Sequence, residues 1–293
     1  MRQVLRCAIP VVMAALALAN TGCGSKSSER SPTSPADARP PAAVSNAQGV
    51  RAMAVAPSLG AADSFAVLGS STVTNTGPTV VNGDLGVSPG STLVGFPPGS
   101  VTPPGAVHLA DAAALAAQNS IVTAYNSLAG QACDLDLSGT DLGGLTLTPG
   151  AYCFSTSAQL TGTLTLNAQG NSGAVWVFQI GSTLTTASNS SVVFINGGQA
   201  CGAFWQVGSS ATLGTTTAFS GNILALASIT LNTGATNSGG LFARTGAVTL
   251  DSNTVSRVGS CGAGAPVPAL PEAVTWGLLA ILLASGVFVL GRR

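Results

Sequence analysis

The sequence predicts an all-β solenoid of triangular section with one long α-helix packed along a face, and three observations predict it. First, a Thr-Leu dipeptide recurs as Thr146-Leu147, Thr165-Leu166, Thr183-Leu184, Thr212-Leu213, Thr230-Leu231 and Thr249-Leu250, at spacings of 19, 18, 29, 18 and 19. Second, the runs Val175–Phe178, Val192–Ile195, Ile223–Ala225 and Leu241–Ala243 are apolar throughout, while Gly, Asn and Ser punctuate the intervals as turns require. Third, Val107–Leu128 is the one stretch of sustained helical composition. Eighteen residues divide into three short strands and three turns, one circuit of a coil that stacks on the next at about 4.8 Å. The Val, Thr, Ile and Gly content disfavours a helical repeat of that length.

Taken in chain order, residues 1–23 read as an export signal. Arg2 and Arg6 precede an apolar run, and small residues close it. Gly22-Cys23 resembles a bacterial lipoprotein cleavage site, with Cys23 the lipidation candidate, although Asn20 stands where such sites usually carry leucine. Residues 24–59, rich in Ser, Pro and Ala, read as a disordered, solvated linker. The solenoid domain is expected over 60–261.

Within it, Ser71-Thr72-Val73-Thr74 and Ser91-Thr92-Leu93-Val94 lie twenty residues apart and add further coils before the helix. The helix follows Pro103-Pro104 and ends at Gly130, a C-cap residue type. Ala110, Ala114, Ala117, Ile121, Tyr125 and Leu128 form one stripe, which is expected to shield the face made by the apolar runs. His108, at the expected helix start, has a structural or solvent role. In the repeats each leucine of Thr-Leu points inward, because alternate residues face opposite sides. An insertion of about eleven residues around Gly197–Cys201 accounts for the one long spacing.

Cys133, Cys153, Cys201 and Cys261 remain once Cys7 and Cys23 are set in the leader. An even number in an exported domain suggests disulfides, here Cys133 with Cys153 and Cys201 with Cys261. After a linker at 262–272, Ala273–Leu290 is uncharged for eighteen residues and precedes Gly291-Arg292-Arg293. At 1.5 Å per residue this is roughly 27 Å, near the thickness of a bilayer core. Segment 273–293 is therefore a transmembrane anchor, or a sorting segment resembling the exosortase type. Either attaches the domain to a membrane and leaves it at the cell surface, outside the cytoplasm.

Charge narrows the function. Between Gly60 and Cys261 the chain has two basic residues, Arg244 and Arg257, seven aspartates and no Glu or Lys. That excludes phosphate-driven nucleic-acid binding and leaves few carboxylate pairs for glycoside hydrolysis. No cofactor, metal or small-molecule substrate is implied. What recurs is small hydroxyl side chains after each anchor, and Thr186, Ser188, Thr215, Thr217, Thr233, Thr236, Ser252 and Thr254 are the candidate binding face. The competing face carries Thr165, Thr183, Thr230 and Thr249, accompanied by Thr185 and Asn232. A flat, stiff, uncharged lattice suits a periodic ligand, ice and its ordered water first and a crystalline neutral polysaccharide second.

Residues from about Phe65 to Val258 resemble the β-solenoid ice-binding proteins of bacteria and fungi. The stretches that carry the resemblance are Leu145–Tyr152, Val177–Ser182, Trp205–Thr212 and Gly246–Asp251. It implies a right-handed, discontinuous parallel β-helix with a long helix beside it. It also implies a binding face bearing Thr-(Ala/Gly)-X-(Thr/Asn), which Thr186–Asn189 and Thr233–Thr236 fit. Thr215–Ala218 and Ser252–Val255 depart from that pattern. The expected function is non-enzymatic adsorption to ice by an exported, surface-anchored protein. The alternative is a surface adhesin or structural solenoid that binds a neutral polysaccharide. A third reading, a polysaccharide lyase or hydrolase, would draw on Asp134, Asp136, Asp141 and Asp251, with Asp134-X-Asp136 as a calcium pair.

Overall fold

The computed structural model describes residues 54–259 and Cys261. The expected export signal with Cys23, most of the 24–59 linker, the 262–272 linker and the 273–293 segment lie outside the described residues. Three parallel sheets of nine, seven and eight strands, here A, B and C, wind around one interior, and the helix Ala112–Ala129, α1, lies on sheet A.

Period-two alternation builds each coil. In sheet A the inward ladder Tyr152, Phe178, Trp205, Ile223, Leu241 runs in register through five coils. Its aromatic rings stack at 5.6 Å (Tyr152–Phe178) and 3.9 Å (Phe178–Trp205). Side chains of that size each contribute about 1.5–3 kcal/mol when fully buried. The leucines of all six Thr-Leu dipeptides are buried, as alternation predicts.

Sheet A is apolar on both sides and therefore needs a cover. Ala151, Val177, Phe204, Leu224 and Phe242 point away from the interior and pack with Ala114, Ala117, Ile121, Ala124 and Leu128 of α1 in a second core. Side chains pin the two layers together. Gln118 Nε2 donates to Ala243 O at 3.1 Å, Tyr125 Oη to Val207 O at 3.3 Å, and Gln179 Nε2 to Leu128 O at 2.7 Å.

Stack order is not chain order. The strand Phe65–Gly69 pairs with Leu241–Ala243 on one side and Asp84–Val87 on the other, so the first coils continue the stack beyond the last ones. The chain then crosses from Val107–Leu109, one edge of sheet A, to Leu135–Asp136, the opposite edge. With eighteen residues, α1 spans about 27 Å of that crossing.

Several expectations need correction. Helix α1 begins at Ala112, because Val107–Leu109 is taken up as a strand beside Asp84–Val87. Ala110 is accordingly exposed, in the left-handed region at φ 50°, and does not join the buried stripe. Asp111 caps the helix by accepting from Ala114 N at 2.8 Å. His108 Nδ1 lies 2.8 Å from Asp111 Oδ2 and its ring packs near Phe65. The run Val192–Ile195 is not under the helix: it belongs to sheet C, where Val193 and Ile195 are each 39% exposed. The folded domain also starts before Gly60. Val55 and Gln131 exchange hydrogen bonds of 2.9 and 2.7 Å, and Leu59 is buried in the second core. The insertion falls where expected, between Ser191–Ile195 and Ala203–Val207. Both expected disulfides are formed, with Cα separations of 5.9 Å for Cys133–Cys153 and 5.2 Å for Cys201–Cys261.

Candidate functional site

With sheet A covered, sheets B and C face outward. Sheet B is built from triplets whose outer members point in and whose middle residue points out: Leu184-Thr185-Thr186, Ala211-Thr212-Leu213, Ile229-Thr230-Leu231, Val248-Thr249-Leu250 and Val73-Thr74-Asn75. Strand pairing sets the five middle threonines in one continuous ladder, Thr185, Thr212, Thr230, Thr249, Thr74. Adjacent coils are about 4.8 Å apart and alternate outward residues along a strand about 6.7 Å. Two positions earlier in each strand, Thr183, Ser210, Ser228 and Ala247 form a parallel column, held by N–H to carbonyl bonds of 2.9–3.1 Å. Sheet C is more mixed: its outward columns interrupt hydroxyls with Val193, Ala218, Val80 and Asn82.

Between sheets B and C the chain turns a corner that is also in register. Asn189 N donates to Thr215 O, Thr216 N to Thr233 O, Gly234 N to Asp251 O and Ser252 N to Thr76 O, at 2.8–3.1 Å. The corner residue is left-handed in every coil of this series, with φ of 60° at Asn189, 55° at Thr216, 71° at Gly234, 54° at Ser252 and 77° at Gly77. The next residue turns inward, so Ser190, Thr217, Ala235 and Asn253 are buried, and after Gly77 the buried residue is Thr79, one place later because Pro78 is exposed.

This geometry divides the eight candidate residues among three environments. Thr186 and Thr217 are buried and share a hydrogen bond of 2.9 Å. Ser188, Thr215 and Thr233 are exposed at the corner, and Ser252 is half-exposed there. Thr236 and Thr254 are exposed on sheet C. They do not share one face. The cause is phase: Thr186 stands opposite Leu160 at an inward strand position, whereas Thr233 is a corner residue. The two four-residue stretches that fit the Thr-(Ala/Gly)-X-(Thr/Asn) pattern are therefore offset by two residues in the stack. Of the competing set, Thr183, Thr185, Thr230 and Thr249 lie outward on sheet B, Asn232 flanks them, and Thr165 belongs to sheet C. Thr212 and Thr74 complete the ladder. The signal that finds them is the repeated triplet, in which a threonine stands between two inward residues.

Electrostatically the sheet B surface is nearly neutral. Asp251 borders it, and its carboxylate accepts from the Thr233 and Ser252 hydroxyls. The other aspartates of the enzymatic reading accept from backbone N–H groups of their own turns or of the neighbouring coil. Asp134 accepts from Ala151 N at 2.8 Å and Asp136 from Ser138 N at 2.8 Å, while Asp141 accepts from Gly143 N and Thr161 N at 2.7 and 2.9 Å. Among the described residues no group of three His, Cys, Asp or Glu side chains is placed to hold a metal ion.

The sequence model of the Ice-binding-like family matches residues 67–256. Over 199 residues the chain is 59% identical to an ice-binding protein of Nostoc sp. strain HG1, a match covering 68% of this chain and 73% of that one. The crystal structure of an ice-binding protein from the Antarctic ascomycete Antarctomyces psychrotrophicus aligns with a TM-score of 0.67 at 43% identity, covering 70% of this chain and all of that one. An ice-binding protein from an Arctic yeast, solved to explain its antifreeze activity, aligns at 0.64 with 30% identity over 74% of this chain and 98% of that one. The molecule is thus a parallel β-solenoid with one helix-covered sheet and an extended, repetitive outer surface. It belongs to the Ice-binding-like family.

Proposed function

We propose that this chain binds ice through sheet B and the adjoining corner, slowing crystal growth or recrystallisation. The observation that carries the proposal is the ladder of five in-register threonines on an uncovered sheet. Hydroxyl and methyl groups alternate there on a backbone whose spacing the coil stack holds constant, so first-shell water can be held in a regular array. Each contact is weak. Many act together, and a rigid face loses little freedom on adsorption. The process is physical and makes or breaks no covalent bond. Family membership and the names of the relatives support the same reading.

We read the domain as exported and held at the cell surface. Two disulfides suit an oxidising compartment, and the terminal segments read above supply the export and anchor signals.

The test uses residues 54–261; 70% of this chain suffices to cover the entire solved Antarctomyces chain. Purified domain should shape growing ice crystals and suppress recrystallisation. Thr230→Tyr should remove that activity while leaving stability within about 0.5 kcal/mol, as for exposed substitutions generally. Retention of insoluble neutral glycan, with no effect on ice, would replace this proposal by the adhesin reading.

A further inference from the structure

Thr216 is a β-branched residue in the left-handed region, at φ 55°. That backbone is costly for such a side chain and is normally left to Gly or Asn, which the stack places at the equivalent positions 77, 189 and 234. A strained residue persists where the surroundings hold it, and it is a lead to a function.

The side chain of Thr216 reaches the neighbouring coil. Its Oγ1 lies 2.5 Å from Asn189 Oδ1, and also 2.7 Å from Thr215 O, the carbonyl that accepts from Asn189 N at 3.0 Å. A single side chain thus ties the corners of two consecutive coils, at residues 189 and 216. Those are the corners that follow Ser188 and Thr215, exposed hydroxyls bordering the sheet B ladder. Elsewhere in the column the link is different: Ser252 Oγ meets only Asp251 of its own coil among the hydrogen bonds described.

We propose that Thr216 is a positioning residue for the binding surface, retained at the expense of stability because its hydroxyl holds the corner hydroxyls in line with the threonine ladder. The inference rests on the ice-binding reading and deepens it by extending the preorganised surface around the B–C corner. A residue with a merely structural role would stabilise the domain. On this proposal Thr216 does not, and replacing it should separate stability from activity.

The experiment compares the 54–261 domain with Thr216→Gly, Thr216→Ser and the face control Thr230→Tyr. Glycine relieves the left-handed strain, so Thr216→Gly should melt about 2–4 °C higher. It should also need several-fold more protein for the same inhibition of ice recrystallisation. Thr216→Ser keeps the hydroxyl, and Ser252 shows that serine adopts this backbone, so it should recover most of the activity. Full activity in Thr216→Gly overturns the proposal, as does a lower melting temperature accompanying lost activity, which would make Thr216 an ordinary structural residue. If the unsubstituted domain and Thr230→Tyr leave ice equally unaffected, it is the ice-binding reading itself that fails.

Discussion

Asn253 and Asn237 are both buried in neighbouring coils, but their amides are treated differently. Asn253 donates from Nδ2 to Asn232 O and Ala235 O at 2.9 Å each, and its Oδ1 accepts from Asp251 N at 2.6 Å. Neither amide atom of Asn237 has a protein hydrogen-bond partner among the described residues. Its register neighbours are Phe219 and Val255, so it occupies an otherwise apolar column. Burying an unbonded polar group costs about 1–3 kcal/mol. Asn237→Val should therefore raise stability by about 1–2 kcal/mol, seen as a higher urea midpoint with an unchanged slope. The threonines divide by the same logic of environment. Thr212→Tyr on the exposed ladder should remove ice activity and leave the fold intact. Thr217→Tyr should instead unfold or markedly destabilise the domain, because Thr217 is fully buried and the core has no room for a ring. Circular dichroism melts alongside recrystallisation assays would distinguish the two outcomes.

Helix α1 and the turns at its end of the stack depend on ionised carboxylates. The Ala114 N–H, followed by the His108 side chain, holds Asp111 below the usual carboxylate range. Ser138 does the same for Asp136, through its hydroxyl and its N–H. Burial opposes ionisation of Asp141, but the Gly143 and Thr161 donors outweigh it and its pKa is also lowered. A folded-state pKa below the unfolded value means that the unfolded chain takes up protons first as pH falls. These groups therefore contribute stability in full above the ordinary Asp value of about 3.9, and that contribution is lost as pH descends through their depressed values. The melting temperature should be flat near neutrality and fall below about pH 4. Asp111→Asn keeps a capping side chain but no titration, so its acid decline should be shallower than that of the unsubstituted domain. Identical acid limbs would remove Asp111 from this account.

Because the first coils stack against the last, the native structure joins segments nearly two hundred residues apart, as in the Asp63–Arg257 ion pair, which is separated by 194 residues. Closing such a chain is entropically costly and favours slow folding. The Cys201–Cys261 bond, with a sequence separation of 60, anchors the end of the described chain to the insertion between sheets C and A. Cys133–Cys153 closes a shorter loop, with a separation of 20. In the chain-entropy account, removing a native disulfide costs about 2–5 kcal/mol, more for the longer loop. The Cys201→Ala/Cys261→Ala double variant should therefore lose more stability than Cys133→Ala/Cys153→Ala in parallel urea titrations. The reverse order would show that local packing at sheet A, not loop closure, dominates.

Much of this molecule was legible before any coordinates, since period and alternation are local properties of a chain. A leucine after each anchor threonine must point inward if its neighbours point out, and all six do. Sheet A, apolar on both sides, required a cover, and α1 is that cover. The limits of α1 were less legible, because Val107–Leu109 has helical neighbours in sequence but a strand partner in space. The binding face was legible only in part. Composition identified small hydroxyls on an uncharged solenoid, yet membership of one surface turned on register. A two-residue offset buries Thr186 and leaves Thr185 in the ladder. Left-handed corners at Asn189, Thr216 and Ser252 interrupt the alternation that strand counting assumes. Composition and period decided that these residues would form stacked coils with leucines inside, because those follow from nearest-neighbour geometry. Which threonines align, and where the first coils join the last, was settled by pairing between distant strands, whose register depends on the whole stack and not on any single segment.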